Sequence, residues 1–304
     1  MTAVASLSPA QLRAALAGPG LTLGTGRFTT RLHSPIASVA DSIGLLYADY
    51  PLLDDTAFAD FHLQLTRPLT HRRWLKPQVT LLYDGRSLFR PLPLDQAYPM
   101  FEWGLNWCVS SRANRYLIVH AAVVEKNGRA AILPAPPGSG KSTLCAALVG
   151  RGGWRLLSDE LTMVRLDDGL LVPLPRPVSL KNGAIDVIRA YVPDATLSPP
   201  VTDTVKGTVA HMKAPGTSVA RAGETALPGW VIFPRYQAGA ELTAQPLARA
   251  DTFMELAANC FNYSLLAAAG FEALAGVVES APGWRFTYSV LDEALAFFDG
   301  LARS

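Results

Sequence analysis

One segment constrains the fold of this chain more than any other: Ala135-Pro136-Pro137-Gly138-Ser139-Gly140-Lys141-Ser142-Thr143. The apolar run Ala130–Leu133 precedes it, and Leu144-Cys145-Ala146-Ala147-Leu148-Val149 follows, ending at Gly150. A strand that runs into a glycine-rich turn and then a helix presents backbone N–H groups, and the positive end of the helix, to an anion. Gly138 and Gly140 suit the turn, Lys141 is placed to reach the outer phosphates, and the Ser142 hydroxyl suits Mg²⁺. The expected ligands are therefore ATP and Mg²⁺, bound over residues 135–143. Ala135 stands where such loops usually start with glycine, so an ordinary φ is expected there. Pro136 and Pro137 should stiffen the loop.

The surrounding pattern is not that of a doubly wound parallel sheet. Leu117–Val124 and Ala130–Leu133 flank Asn127-Gly128, and Leu161–Leu166 and Leu170–Val172 flank Asp168-Gly169. Both are hairpin signatures, which predicts a mixed sheet around the loop. Arg155-Leu156-Leu157-Ser158 is a short apolar strand that ends on Asp159-Glu160. A short connection joins it to the loop helix, so it is expected beside the loop strand. There its carboxylates could hold Mg²⁺ or accept a proton from a hydroxyl.

Before residue 112 the pattern is mostly strand-like, with runs at Leu21–Leu23, Phe28–Leu32, Phe61–Leu65 and Val79–Tyr83. The last of these should meet Leu88-Phe89 across Asp84-Gly85. Ser8 caps a short helix that Gly18 ends, and Tyr98–Val109 is helical, with Trp103 and Trp107 expected in the core. Helices are also expected at about 247–260, 264–278 and 291–302. The organisation that follows is a β-rich module over 1–112 and a catalytic unit over 113–304, in an α/β (α+β) chain.

Residues 120, 155–160 and the loop also carry a resemblance. His120-Ala121-Ala122-Val123, the hairpin, the Gly-Ser-Gly-Lys-Ser-Thr loop and Leu157-Ser158-Asp159-Glu160 resemble the catalytic domain of bacterial HPr kinase/phosphorylase. That family has His-Gly-Val-Leu before its loop and Ala-Asp-Asp-Arg after it. Leu180-Lys181-Asn182-Gly183 stands where the family has Glu-Ile-Arg-Gly, and Glu255–Asn259 is similar to its Glu-Val-Ala-Ala-Met-Asn. The resemblance spans residues 115–265. It implies a mixed-sheet P-loop kinase core related to phosphoenolpyruvate carboxykinase, and general-base work for Asp159. Glu160 then takes the second aspartate's place, His120 the histidine's and Lys181 an arginine's, while Ser179 stands where a metal-binding glutamate would be. Residues 1–112 do not match the family's own N-terminal domain, so the acceptor need not be HPr. A serine hydroxyl of a peptide or small protein is the expected acceptor, with the N-terminal module presenting it. The rivals are a small-molecule kinase acting on free serine or a sugar, and a nucleotide-binding regulator without turnover.

Other cations and polar groups admit two uses each. Arg176, Lys181 and Arg235 could bind phosphate oxygens or be merely solvated. His120 could be a packed strand histidine or part of the site. Lys206–His211 could be a surface loop or a segment closing over substrate, and Asn259 and Asn262 could simply cap or bridge.

Composition sets limits on partners. Among 304 residues the formal net charge is +2, with the signs interspersed and no basic run longer than His71-Arg72-Arg73. No nucleic-acid footprint is expected. No apolar stretch approaches a membrane span and no leader pattern opens the chain, so a cytoplasmic protein without a membrane partner is expected. Cys108, Cys145 and Cys260 lack a metal or disulfide spacing and read as reduced. The sequence is compatible with a homo-oligomer.

Overall fold

The computed structural model describes residues 2–54, 56–68 and 75–303; the basic run at 71–73 lies outside them. The chain opens on β1 (Thr2–Ala3) and α1 (Pro9–Ala17). Ser8 and Gln11 form a reciprocal capping box at the start of α1, and Gly18 ends it. Then come β2 (Leu21–Thr25), β3 (Phe28–His33), α2 (Ala37–Leu46), β4 (Pro51–Leu52), β5 (Phe61–Thr66) and β6 (Gln78–Tyr83). Two short strands, β7 (Arg86–Ser87) and β8 (Leu92–Pro93), lead into α3 (Ala97–Arg112). These strands form one sheet in the order β1-β4-β2-β3-β5-β6-β7, with β8 also on β6. Asp84 and Gly85 both take positive φ, the geometry of a tight hairpin turn. That turn pairs β6 with Arg86-Ser87 in the ladder, and beyond it the Leu88 N–H donates to the Leu81 carbonyl at 3.1 Å, so the expected return segment starts two residues early.

The second half begins with β9 (Tyr116–Lys126) and β10 (Arg129–Pro134), joined across Asn127-Gly128. After the loop come α4 (Lys141–Gly150), β11 (Arg155–Ser158), β12 (Leu161–Arg165), β13 (Leu171–Val172) and β14 (Val178–Lys181). Next are α5 (Gly183–Tyr191), β15 (Val201–Thr204), β16 (Gly207–Met212) and α6 (Gly216–Ala220). The chain closes with β17 (Leu227–Tyr236), β18 (Thr243–Leu247), α7 (Arg249–Ala257), α8 (Tyr263–Ser280), β19 (Gly283–Tyr288) and α9 (Leu291–Leu301). The main sheet runs β13-β12-β9-β10-β17-β19-β18, with β11 also on β9. It is mixed: β10–β17 and β17–β19 are parallel, and the other pairings are antiparallel. A small sheet, β14-β16-β15, makes the segment from Lys206 to His211 a turn and central strand, not a surface loop.

One expected neighbour is displaced. β11 pairs with β9, so the acid-bearing strand is separated from the loop strand β10 by the whole of β9. The hairpin strand claims the β10 edge first, since its two-residue turn makes that pairing local. β11 and β12 then share the opposite edge of β9: Ser158 pairs with Val123 and Leu161 with His120.

Period-2 alternation along β9 divides its side chains between two cores. Leu117, Val119, Ala121 and Val123 join Leu256, Leu274 and Val277 of α7 and α8. Ile118, Ala122 and Val124 join Leu144, Ala147 and Leu148 of α4. This second core continues without a break into Phe101, Leu105, Leu63 and Leu23 of the first half. The two halves therefore have separate sheets but a shared core. The Tyr50 hydroxyl donates to the Pro175 carbonyl at 2.8 Å, and Lys213 pairs with Asp49 at 2.8 Å across the same junction. Cys108, Cys145 and Cys260 are all unpaired. Among the described residues, no helix is long and apolar enough to cross a membrane.

Candidate active site

The loop between β10 and α4 is held by the ends of the two strands that follow β10 in the sheet, β17 and β19. Tyr236, ending β17, donates its N–H to the Ser139 carbonyl at 2.8 Å, and the Tyr288 hydroxyl, ending β19, donates to the Gly140 carbonyl at 3.0 Å. Gly138 and Gly140 both take positive φ, at 86° and 85°. Gly140 has a second reason to lack a side chain: a Cβ there would lie 2.5 Å from the Tyr288 hydroxyl and 2.8 Å from the Tyr236 Cβ. Ala135 is buried and is not among the residues with positive φ, so alanine is unstrained at that position. Pro136, Pro137 and Gly138 are exposed, and no side chain caps α4. The first N–H groups of α4, from Lys141 to Thr143, have no acceptor within the helix and suit an anion.

Asp159 and Glu160 fall in the gap between β11 and β12. A register shift between Leu156 and Ser158, and a turn closed by the Leu161 N–H on Ser158 Oγ at 3.1 Å, lift them out of the ladder. Although β9 intervenes, Asp159 reaches back to the loop helix. Its Oδ2 accepts from Ser142 Oγ at 3.3 Å and from the Ser179 N–H at 3.0 Å. Its Oδ1 is buried without a partner. Burial, and then the neighbouring Glu160 charge, raise the Asp159 pKa above the usual carboxylate range. Burial pushes Glu160 the same way, but Lys206, Lys181, Lys141 and Arg176 outweigh it and hold Glu160 low. Two adjacent carboxyl groups are thus driven apart in acidity, which suits one to proton transfer and the other to holding charge.

Four cations are felt at this pair. Lys141 is only 8 % exposed, and burial lowers its pKa against the pull of Asp159 and Glu160. Lys181 lies at the end of β14. Lys206, at the β15–β16 turn, sits over the Trp103 ring at 5.2 Å; its pKa too is lowered by burial, with Glu160 opposing. The fourth, Arg176, lines a small cavity with Asp159 and Glu160, and its Nη1 makes no hydrogen bond. It is buried, paired with Glu102 at 3.5 Å, and donates to Asn106 Oδ1. Arg235 stands apart, exposed on the other flank of the loop, in a cleft of about 740 Å³ that Pro136, Gly138 and Tyr236 also line.

His120 pairs with Leu161 in the ladder, one turn from the acids. Its backbone N–H donates to the Asn259 carbonyl at 2.7 Å, and its ring lies 5.5 Å from Phe261. Asn262 bridges the Ile118 N–H and the Tyr116 carbonyl, so both asparagines tie the α7–α8 junction to β9. Burial first, and the Lys141 charge second, push the His120 pKa from 6.5 down to about 4. The folded protein therefore favours the neutral ring. Its contribution to stability is full above pH 6.5 and is lost as pH falls through about 4. Asp159, with its raised pKa, opposes this trend. His120→Gln should accordingly flatten the decline in melting temperature between pH 6.5 and 4, and an unchanged slope would refute the assignment.

Sequence reasoning missed Tyr236, Tyr288, Glu102 and Asn106, and it placed Trp103 in the core rather than beneath Lys206. Apart from Tyr98, one turn from Glu102, the partners of these residues come from distant parts of the chain. The only local signal was Glu102, an acid within the apolar stretch of α3.

No family model matches the sequence, and no curated protein matches it. Among solved structures, the chain is similar to the Hpr(Ser) kinase/phosphatase from Coxiella burnetii. The identity is 11% and the TM-score 0.29, over 61% of this chain and 93% of that one. A likeness this distant assigns no role to any residue.

Proposed function

We propose that the protein is an ATP- and Mg²⁺-dependent kinase that phosphorylates a hydroxyl, a serine of a peptide or small protein. The observation that carries this reading is the meeting of Ser142, Asp159 and buried Lys141 at the start of α4. The Ser142 hydroxyl, the Asp159 Oδ2 beside it and a second acid are hard oxygen donors of the kind Mg²⁺ takes, with substrate phosphates completing the set. Ser142, Asp159 and Glu160 are the residues that would hold the ion, which when bound neutralises charge on the phosphate oxygens.

The rest falls to the chain itself. The N–H groups of the 135–143 loop bind the phosphates, and Lys141 offsets charge on the group being transferred. Asp159 Oδ1 receives the proton as the acceptor oxygen bonds to the terminal phosphorus. The bond from that phosphorus to the bridging oxygen breaks, and its electron pair leaves with ADP. A raised pKa makes Asp159 a better base than an ordinary aspartate. Lys181 and Lys206 stand where they can attract the incoming phosphate or an acidic acceptor.

Mg-ADP should raise the melting temperature, because a ligand that binds only the folded state stabilises it by about 2.7 kcal/mol at a hundred times its Kd. Lys141→Ala should remove most of that rise. An unchanged rise in the variant, or none in the wild type, would overturn the reading.

A further inference from the structure

Helix α3 belongs to the first half of the chain, yet one stripe of it is polar and turned inward, buried at Tyr98 and Glu102 and half-buried at Asn106. Tyr98, Glu102 and Asn106 recur at helical spacing and so share a face. The Tyr47 and Tyr98 hydroxyls both donate to Glu102 Oε1, at 2.7 and 2.6 Å. Glu102 Oε2 pairs with Arg176, Arg176 donates to Asn106 Oδ1, and Asn106 Nδ2 donates to Glu160 Oε2. The amide has one workable orientation, since a reversed side chain would set its NH₂ against the guanidinium and its oxygen against the carboxylate.

A buried ion pair is seldom worth more to stability than apolar side chains of the same size. Glu102 is 3 % exposed and Arg176 7 %, so desolvating them is costly. The chain of contacts ends on an acid of the candidate site, and a functional role would account for that cost. We infer that Asn106 is a positioning residue: it fixes the Glu160 carboxylate for metal binding, with Glu102 and Arg176 holding the amide in turn. The first half of the chain would thereby complete the metal end of the site. This inference rests on the phosphotransfer reading.

Partners that orient a metal ligand typically matter by 10–100-fold in metal affinity. The test is the melting-temperature rise produced by ADP, titrated with Mg²⁺, in wild type, Asn106→Leu and Asn106→Asp. Both variants should need at least about 10-fold more Mg²⁺ for the half-maximal effect, with the metal-free ADP response unchanged. Asn106→Asp keeps an acceptor for Arg176, loses the donor to Glu160 and adds a negative charge, which by itself would favour Mg²⁺, so a weaker Mg²⁺ response reports the lost positioning. If the amide merely packs the junction, that variant will behave as wild type, and the inference fails. A wild type with no Mg²⁺-linked ADP response would instead sink the phosphotransfer reading, so the two failures are distinguishable. Should Asn106→Leu not fold, Asn106→Asp alone still decides.

Discussion

Asp159→Asn should lower phosphoryl transfer by at least about 10²-fold, the lower end of what a general base contributes. Asparagine keeps the shape and the carbonyl that accepts from Ser142 and the Ser179 N–H, so the turn between β11 and β12 should survive. What it lacks is a basic oxygen where Oδ1 is buried without a partner. Metal-free ADP should bind as before, because on the proposed reading loop N–H groups and Lys141 carry that affinity. Glu160→Gln should be comparable if Glu160 holds the ion and milder if it only orients its neighbour. Transfer and metal-free ADP binding measured on the same two variants decide the roles. Transfer near the wild-type rate in Asp159→Asn would remove the base. A wild type that binds nucleotide tightly but never turns over would favour a regulator.

Gly140→Ala should abolish most of the ADP-induced rise in melting temperature, whereas Gly138→Ala should only weaken it. Both glycines have positive φ, which costs alanine on the order of 1 kcal/mol. They differ in surroundings. Nothing lies within 4 Å of a Cβ at Gly138, while one at Gly140 meets the Tyr288 hydroxyl and Tyr236. Relief requires the loop to leave its tyrosine anchors, and the N–H groups move with it. Equal effects at the two positions, seen by thermal shift, would mean that the anchors do not set the loop's shape.

The parts of this site that could be read in the sequence are those whose chemistry is local. Gly138, Gly140, Lys141 and Ser142 sit within one turn, and Asn127-Gly128 carries its own backbone geometry, with both residues at positive φ. Asp159-Glu160 could be read as a strand end. Which strand it would adjoin could not, because the choice between β9 and β10 depends on a hairpin winning an edge. The partners of Arg176 were not legible for a related reason: Glu102 and Asn106, which engage it, precede the loop altogether. A cation's loop context says little about its charge partner when that partner arrives through tertiary packing. The helix α2 and the sheet β14-β16-β15 were also missed, the latter because its strands are short and separated by a helix.

The parallel pairing of β10 with β17 has a consequence during synthesis. β10 is complete at Pro134, but the strand that covers its outer edge begins only at Leu227. Until then the nascent chain carries an open row of N–H and C=O groups, flanked by Ala130 and Ile132, that any other extended segment could join. Nothing in the intervening segment supplies that edge, since β11 and β12 lie on the far side of β9 and β14-β16-β15 form a sheet of their own. The interval is one in which a chaperone, or slow concentration-dependent self-association, would compete for the growing polypeptide.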